Sequence, residues 1–230
     1  MNLEIQRKWA RQTFRGVGIV TNTSNRLNLP IISTGRPFAF YREVFFKNRP
    51  EADVLSDLKG QRVLDVGCGL TPYTQDSMFQ ACYRDGVEFY GIDPKLNGTF
   101  EFGTFDRLKV FFTGGTRLDP YAPGAERRLA IYADDLPFED ASVDLILSSW
   151  ALFVWIADEQ VLDRVFAEFA RVLKIGGEVR VYPTLHADDV TWPMAKETLA
   201  AFDIRQRFVG RASVLNLPPA FMTRFVRRDA

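Results

Sequence analysis

Asp65-Val66-Gly67-Cys68-Gly69-Leu70-Thr71-Pro72 is a glycine loop that directly follows the short apolar run Arg62–Val66. Glycines at 67 and 69 let the chain turn sharply and let a ligand approach the backbone without meeting a Cβ. Asp93 lies 24 residues beyond Gly69, at the end of a second apolar run, Val87–Ile92. A carboxylate in that place can accept hydrogen bonds from both hydroxyls of an adenosine ribose. Each feature alone is weak, since Asp-Pro after a strand is also a common turn; together they specify an adenosine-bearing ligand. A third glycine would complete the dinucleotide fingerprint, but position 72 is proline, which disfavours NAD or FAD. No Lys-Ser or Lys-Thr pair follows the glycines, so a phosphate-binding P-loop is excluded.

Further along, His186 is the only histidine, just past the fifth apolar run. It is either a general base or a solvated loop residue. Trp150, Phe153 and Trp155 follow the fourth run and could wall a pocket with their ring faces. For Phe153 and Trp155, core packing explains the residue type equally well. Cys68 and Cys82 are too few for a disulfide framework or a zinc site, and no metal site is expected. Cys68 reads as a small packing residue of the loop, and the cysteine usage fits a reducing, cytoplasmic compartment.

From residue 61 onward, short apolar runs alternate with helix-like stretches. That alternation is the signature of a parallel sheet covered by helices. Strands are expected at 62–66, 87–92, 128–132, 142–148, 178–184, 204–209 and 221–227, and helices at 71–84, 158–174 and 192–202. The 158–174 stretch carries an apolar stripe from Val161 to Leu173, with Gly176-Gly177 expected to stop it. Residues 95–127, rich in Asn-Gly and Gly-Gly turn signals, read as a partly helical insertion. The fold class is therefore α/β: an open, doubly wound, mostly parallel seven-stranded sheet with helices on both faces.

Residues 1–60 lack a clean period and are expected to form a lid or substrate segment ahead of a domain spanning 61–230. They show turn signals at 22–25 and 35–37, then an aromatic patch of Phe38, Phe40, Tyr41, Phe45 and Phe46. Leu3, Ile5, Trp9 and Phe14 suggest one face of a short amphipathic helix, docked or acting as a lid. The first 49 residues hold nine Lys/Arg against two Asp/Glu, although 29 of each balance across the chain. Such a segment suits an anionic small molecule or docks on the acidic remainder of the same chain. No apolar signal-peptide core, bilayer-length run or dense Lys/Arg cluster is present, so neither membrane nor nucleic acid is expected. The oligomeric state is not encoded in any of these features.

Four motifs in order resemble those of class I S-adenosylmethionine-dependent methyltransferases of the small-molecule type. They are Val63-Leu64-Asp65-Val66-Gly67-Cys68-Gly69, Gly91-Ile92-Asp93, the 134–144 stretch Asp134-Asp135-Leu136-Pro137-Phe138 onward, and Arg171-Val172-Leu173-Lys174-Ile175-Gly176-Gly177. The resemblance covers about residues 60–185 in detail and implies S-adenosylmethionine as cofactor. It implies that Asp65, Gly67, Cys68 and Gly69 hold the methionine part, with Asp65 near its ammonium group, and that Asp93 holds the ribose. It also implies that backbone at Ala133 and Asp134 meets the adenine edge, and that Ser148, Ser149 and Trp150 line the methionine side opposite. Where the family often has Asp to accept the adenine amino group, this chain has Tyr132; Asp134 or a backbone carbonyl would replace it. The family's last strand is antiparallel, which the terminal runs fit loosely.

Such an enzyme moves a methyl group to O, N or C of a small acceptor, and it needs a base only when the nucleophile starts protonated. Motifs for exocyclic amines of nucleobases (Asn/Asp-Pro-Pro-aromatic) and the Pro-Cys of cytosine-C5 chemistry are missing. A non-catalytic cofactor-binding module is the alternative, with a nicotinamide-dependent oxidoreductase behind it.

Overall fold

The computed structural model describes residues 1–26, 35–96, 118–210 and 218–229. The chain falls into two compact units. One unit holds the chain from the aromatic patch to Ala133; the other holds the N-terminal helix together with everything from Asp134 on.

In the first unit the aromatic patch is a helix: its buried residues Phe38, Tyr41 and Phe45, with Phe40 and Val44, recur every three or four positions. For numbering in chain order, the N-terminal helix Leu3–Arg26 is α1 and this helix, Phe38–Phe45, is α2. Helix α3 (Glu51–Leu58) follows Pro50 and carries Glu51 and Asp53 in its first turn, where the helix's positive end favours carboxylates. Strand β1 (Arg62–Val66) pairs in parallel with β2 (Glu88–Ile92), Val66 opposite Ile92, and β2 pairs in parallel with the two-residue β3 (Arg128–Leu129). The helix expected over 71–84 is divided. Pro72 sits in a 3₁₀ turn (Thr71–Tyr73), and α4 (Met78–Arg84) starts only after Ser77, whose side chain accepts the Gln80 N–H. Most of the expected 95–127 insertion, residues 97–117, lies outside the described residues.

In the second unit α1 turns a different face inward from the one expected. Ala10 is buried, with Arg7, Thr13, Phe14 and Val17 partly buried around it, while Leu3, Ile5 and Trp9 are exposed. Positions 7, 10, 14 and 17 share one 3.6-residue stripe; 3, 5 and 9 do not. The turn signals at 22–25 fall within helical backbone. Strand β4 (Val143–Ser149) leads through residues 150–158 to α5 (Glu159–Val172), capped by Asp158 accepting the Val161 N–H at 3.0 Å. Strand β5 (Leu173–Thr184) begins at the very next residue, so Gly176 and Gly177 lie inside a strand and do not stop the helix. Helix α6 (Lys196–Ala200) is shorter than expected and begins after Pro193; β6 (Phe202–Val209) and β7 (Ala220–Arg227) complete the chain.

The first unit orders its strands β3-β2-β1 and the second β4-β5-β7-β6, with β7 antiparallel to both neighbours. Together these are the seven strands of the mostly parallel, Rossmann-like sheet, the last one reversed. The second unit's core is aromatic: Phe166 and Phe225 have ring centroids 4.8 Å apart, and Phe169 and Phe202 pack on Phe166. No described helix is long and apolar enough to cross a membrane.

Candidate functional site

The glycine loop leaves β1 in the first unit, and its backbone explains its residues. Gly67 (φ 70°) and Gly69 (φ 55°) both occupy the left-handed region, which costs a side-chain-bearing residue energy. The Gly67 N–H donates to the Ile92 carbonyl at 2.8 Å, tying the loop to the end of β2. There Asp93 fixes it again: Asp93 Oδ2 accepts the Gly69 N–H at 3.0 Å, and Oδ1 accepts the Lys95 N–H at 2.9 Å. The two residues that sequence spacing linked are thus hydrogen-bonded to each other, with further lone pairs on the Asp93 carboxylate available to a ligand.

Asp65 ends up buried, 1% exposed. The Tyr41 hydroxyl donates to its Oδ2 at 2.5 Å, and its Oδ1 has no partner among the described residues. Burial pushes the Asp65 carboxyl up to about 7, against the hydrogen bond from Tyr41 and the charge of Arg36, which favour the ionised form. The same burial raises the Tyr41 hydroxyl well above its usual range. A cationic group at Oδ1 would satisfy the open oxygen and favour the carboxylate, so the site fits an ammonium-bearing ligand. Tyr41 was not foreseeable from the sequence, where it was one aromatic among several.

Cys68 is buried, and loss of solvent pushes its thiol far above the reactive range. Its sulfur helps explain Gly91: a Cβ there would lie 3.2 Å from Cys68 Sγ and 2.8 Å from Pro72 Cγ. Pro72, the residue that broke the dinucleotide fingerprint, therefore packs against β2. Ala133 is buried at the end of this unit, and Tyr132 is 71% exposed.

The second unit carries the other expected residues. The Asp134 carboxylate accepts from Arg164 Nε at 3.2 Å. Ser148 and Ser149, at the end of β4, are both buried, and both hydroxyls lack a partner among the described residues. Buried hydroxyls without partners are uncommon, and this pair is suited to a polar ligand.

Trp150 and Phe153 share an unusual feature, since both hold φ 64°. Aromatic residues seldom adopt the left-handed region, and such strain collects at functional sites. The Trp150 N–H donates to the Tyr182 carbonyl at 2.7 Å, and its ring stands edge-on to Tyr182. Phe153 is held by ring contacts to Trp192, Phe166 and Phe225.

His186 precedes a 3₁₀ turn and caps it: Nδ1 accepts the Asp188 N–H at 3.2 Å, and the ring packs edge-on against Phe221. Two residues later, Asp189 binds α1, accepting from Arg7 Nη2 at 2.6 Å and from Arg11 Nη1 at 3.0 Å. No group of three or more His, Cys, Asp or Glu side chains placed to hold a metal ion occurs among the described residues.

Comparison with known proteins supports the same family. A model of the methyltransferase domain family matches residues 121–181. Phosphoethanolamine N-methyltransferase 1 of Zea mays is 26% identical over 157 residues, which are 68% of this chain and 27% of that protein. The chain thus spans about a quarter of the length of that curated relative. Among solved structures, a methyltransferase from Methanosarcina mazei is similar with a TM-score of 0.47 at 15% identity, covering 77% of this chain and 98% of that one. Geranyl diphosphate C-methyltransferase from Streptomyces coelicolor A3(2) is similar with a TM-score of 0.40 at 14% identity, covering 78% of each chain. With a methyltransferase-domain match over residues 121–181 and a methyltransferase relative matched over 157 residues, the chain is similar to S-adenosylmethionine-dependent methyltransferases.

Proposed function

We propose that the chain, acting in the cytoplasm, transfers the cofactor's methyl group to an O, N or C nucleophile of a small-molecule acceptor. The observation that carries this is the loop around Asp65: two left-handed glycines, an Asp93 carboxylate bonded to the loop, and a buried Asp65 oxygen left open. Asp65 would take the ammonium group and Asp93 the ribose hydroxyls; Gly67, Cys68 and Gly69 would supply backbone to the methionine part. Ser148 and Ser149 would offer hydroxyls, and Ala133 and Asp134 would meet the adenine edge.

When bound, the cofactor would supply an electrophilic methyl carbon on a sulfonium for transfer to the acceptor's lone pair. The protein's share is alignment and exclusion of water. Trp150 and Phe153, fixed in strained backbone, would hold an acceptor in one orientation. His186, whose Nδ1 accepts the Asp188 N–H, would be the base for an acceptor that starts protonated. An acceptor that reaches the site deprotonated needs no base. The amine acceptor in the name of the maize relative keeps nitrogen among the options.

The test is incubation with methyl-labelled cofactor and a metabolite extract, followed by mass spectrometry of labelled products. S-adenosylhomocysteine formed together with a labelled product supports the proposal. Tight cofactor binding without turnover on any acceptor would instead make the chain a binding module.

A further inference from the structure

The unit that contains α1 and the chain from Asp134 on carries a half-open cavity of about 200 Å³. Its walls come from three places: Phe14 on α1, Phe153 and Ala157 after β4, and Leu185, Val190 and Trp192 after β5. The ends of adjacent parallel strands are where open α/β sheets bind their ligands. This cavity lies past the ends of β4 and β5.

Its chemistry is apolar. The buried hydroxyl in its wall, Thr184 Oγ1, is already bonded to Thr223 Oγ1 at 2.6 Å and to the Phe221 carbonyl at 3.1 Å. It asks for no polar partner. Apolar cavities of roughly 150 Å³ stay dry and accept a benzene ring, so this one has room for a group of at least that size.

Two further observations separate it from a packing defect. Phe153 keeps its left-handed backbone while its ring stacks toward Trp192, so strain is sustained at the wall itself. The roof is also pinned deliberately: Arg7 and Arg11 both bond Asp189, next to the wall residue Val190, and Thr13, next to Phe14, donates to the Pro219 carbonyl at 2.7 Å. These bonds set Phe14 over the cavity.

We propose that this cavity holds a hydrocarbon group of the methyl acceptor, about the size of one aromatic ring. The acceptor is therefore amphipathic, with its nucleophile outside the cavity. This rests on the methyltransferase function proposed above, and the test separates the two. Toluene is titrated calorimetrically into the full chain and into Ala157→Trp and Val190→Phe, two variants that fill the cavity from different elements. S-adenosylhomocysteine is titrated into the same samples, and circular dichroism confirms folding.

Saturable one-to-one toluene binding to the wild type, with Kd on the order of 1 mM or lower, is expected. Whichever filled variant folds should bind toluene at least about tenfold more weakly, with its affinity for S-adenosylhomocysteine unchanged. In the labelled-product screen, wild-type products should carry a hydrocarbon group and should fall in the filled variants. No saturable toluene binding, equal toluene affinity in the filled variants, or uniformly polar products would overturn the proposal. Failure to bind S-adenosylhomocysteine would overturn the methyltransferase function and leave the cavity measurement standing.

Discussion

Asp65 is a carboxylate with one oxygen held by Tyr41 and the other open, in surroundings that favour its neutral form. Its unfolded value is about 3.9, whereas in the fold it is pushed up to about 7. Between those values the folded protein binds a proton that the unfolded chain has lost, so stability must fall as pH rises through the window. The full effect is roughly 4 kcal/mol at most. Urea unfolding of the cofactor-free protein between pH 4.5 and 7.5 should show this decline, and Asp65→Asn, which keeps an acceptor for Tyr41, should flatten it. The affinity for S-adenosylhomocysteine should move oppositely, rising toward neutral pH as the ammonium group pairs with an ionised Asp65. Gly91 gives a second prediction at this scale. The Cβ of Gly91→Ala would meet the Pro72 ring at 2.8 Å. Overpacking of that kind costs about 1–3 kcal/mol, which chemical denaturation would reveal as a lower midpoint at unchanged slope.

Among the elements, two of the sequence motifs prove to be one structure. Arg171, near the end of α5, donates to the carbonyls of Leu136 (3.0 Å) and Phe138 (2.9 Å) and to the Asp140 carboxylate (2.8 Å). Glu168, one turn earlier, accepts the Leu136 N–H at 2.8 Å. The 134–140 stretch is therefore held against α5 by a planar fork that serves several acceptors at once. Arg171→Ala should destabilise the protein by about 2 kcal/mol, and Arg171→Lys should recover little of it, because an ammonium cannot span those acceptors. Equal stability of the lysine variant and the wild type would show that charge alone matters there. What could be read from the sequence follows the same division. The glycine loop, Asp93 and the α5 stripe were legible because each is a local pattern with a fixed period or spacing. Tyr41 was not, because its partner is 24 residues away and the helix carrying it is short. Nor was the cavity, whose walls come from residue 14, residues 153–157 and residues 185–193. The end of α5 was misplaced for a related reason: glycines that look like a stop signal also serve inside a strand, where Gly177 has no room for a Cβ beside the Lys174 carbonyl.

Across the whole molecule, the positive surplus of the N-terminal segment is partly answered from within. Arg7 and Arg11 pair with Asp189, and Arg49 pairs with Asp57. Those cations are committed to docking helices, which weakens the case for an anionic acceptor and leaves cofactor binding as the clearest global readout. A ligand that binds only the folded state at 100 times its Kd stabilises by about 2.7 kcal/mol. For a chain of this length each kcal/mol moves Tm by about 2–4 °C, so S-adenosylhomocysteine should raise Tm by about 5–10 °C. In the proposed ribose role, Asp93→Ala would lose two hydrogen bonds to a charged group and should weaken binding by about 2–3 kcal/mol. At the same ligand concentration the shift should then shrink to about 1–3 °C. Because Asp93 also holds the Gly69 N–H, the variant melts lower even without ligand; the informative quantity is the difference with and without it. A ligand-induced shift of wild-type size in Asp93→Ala would remove this residue from the ribose site. A shift produced by NADH and not by S-adenosylhomocysteine would remove the cofactor assignment with it.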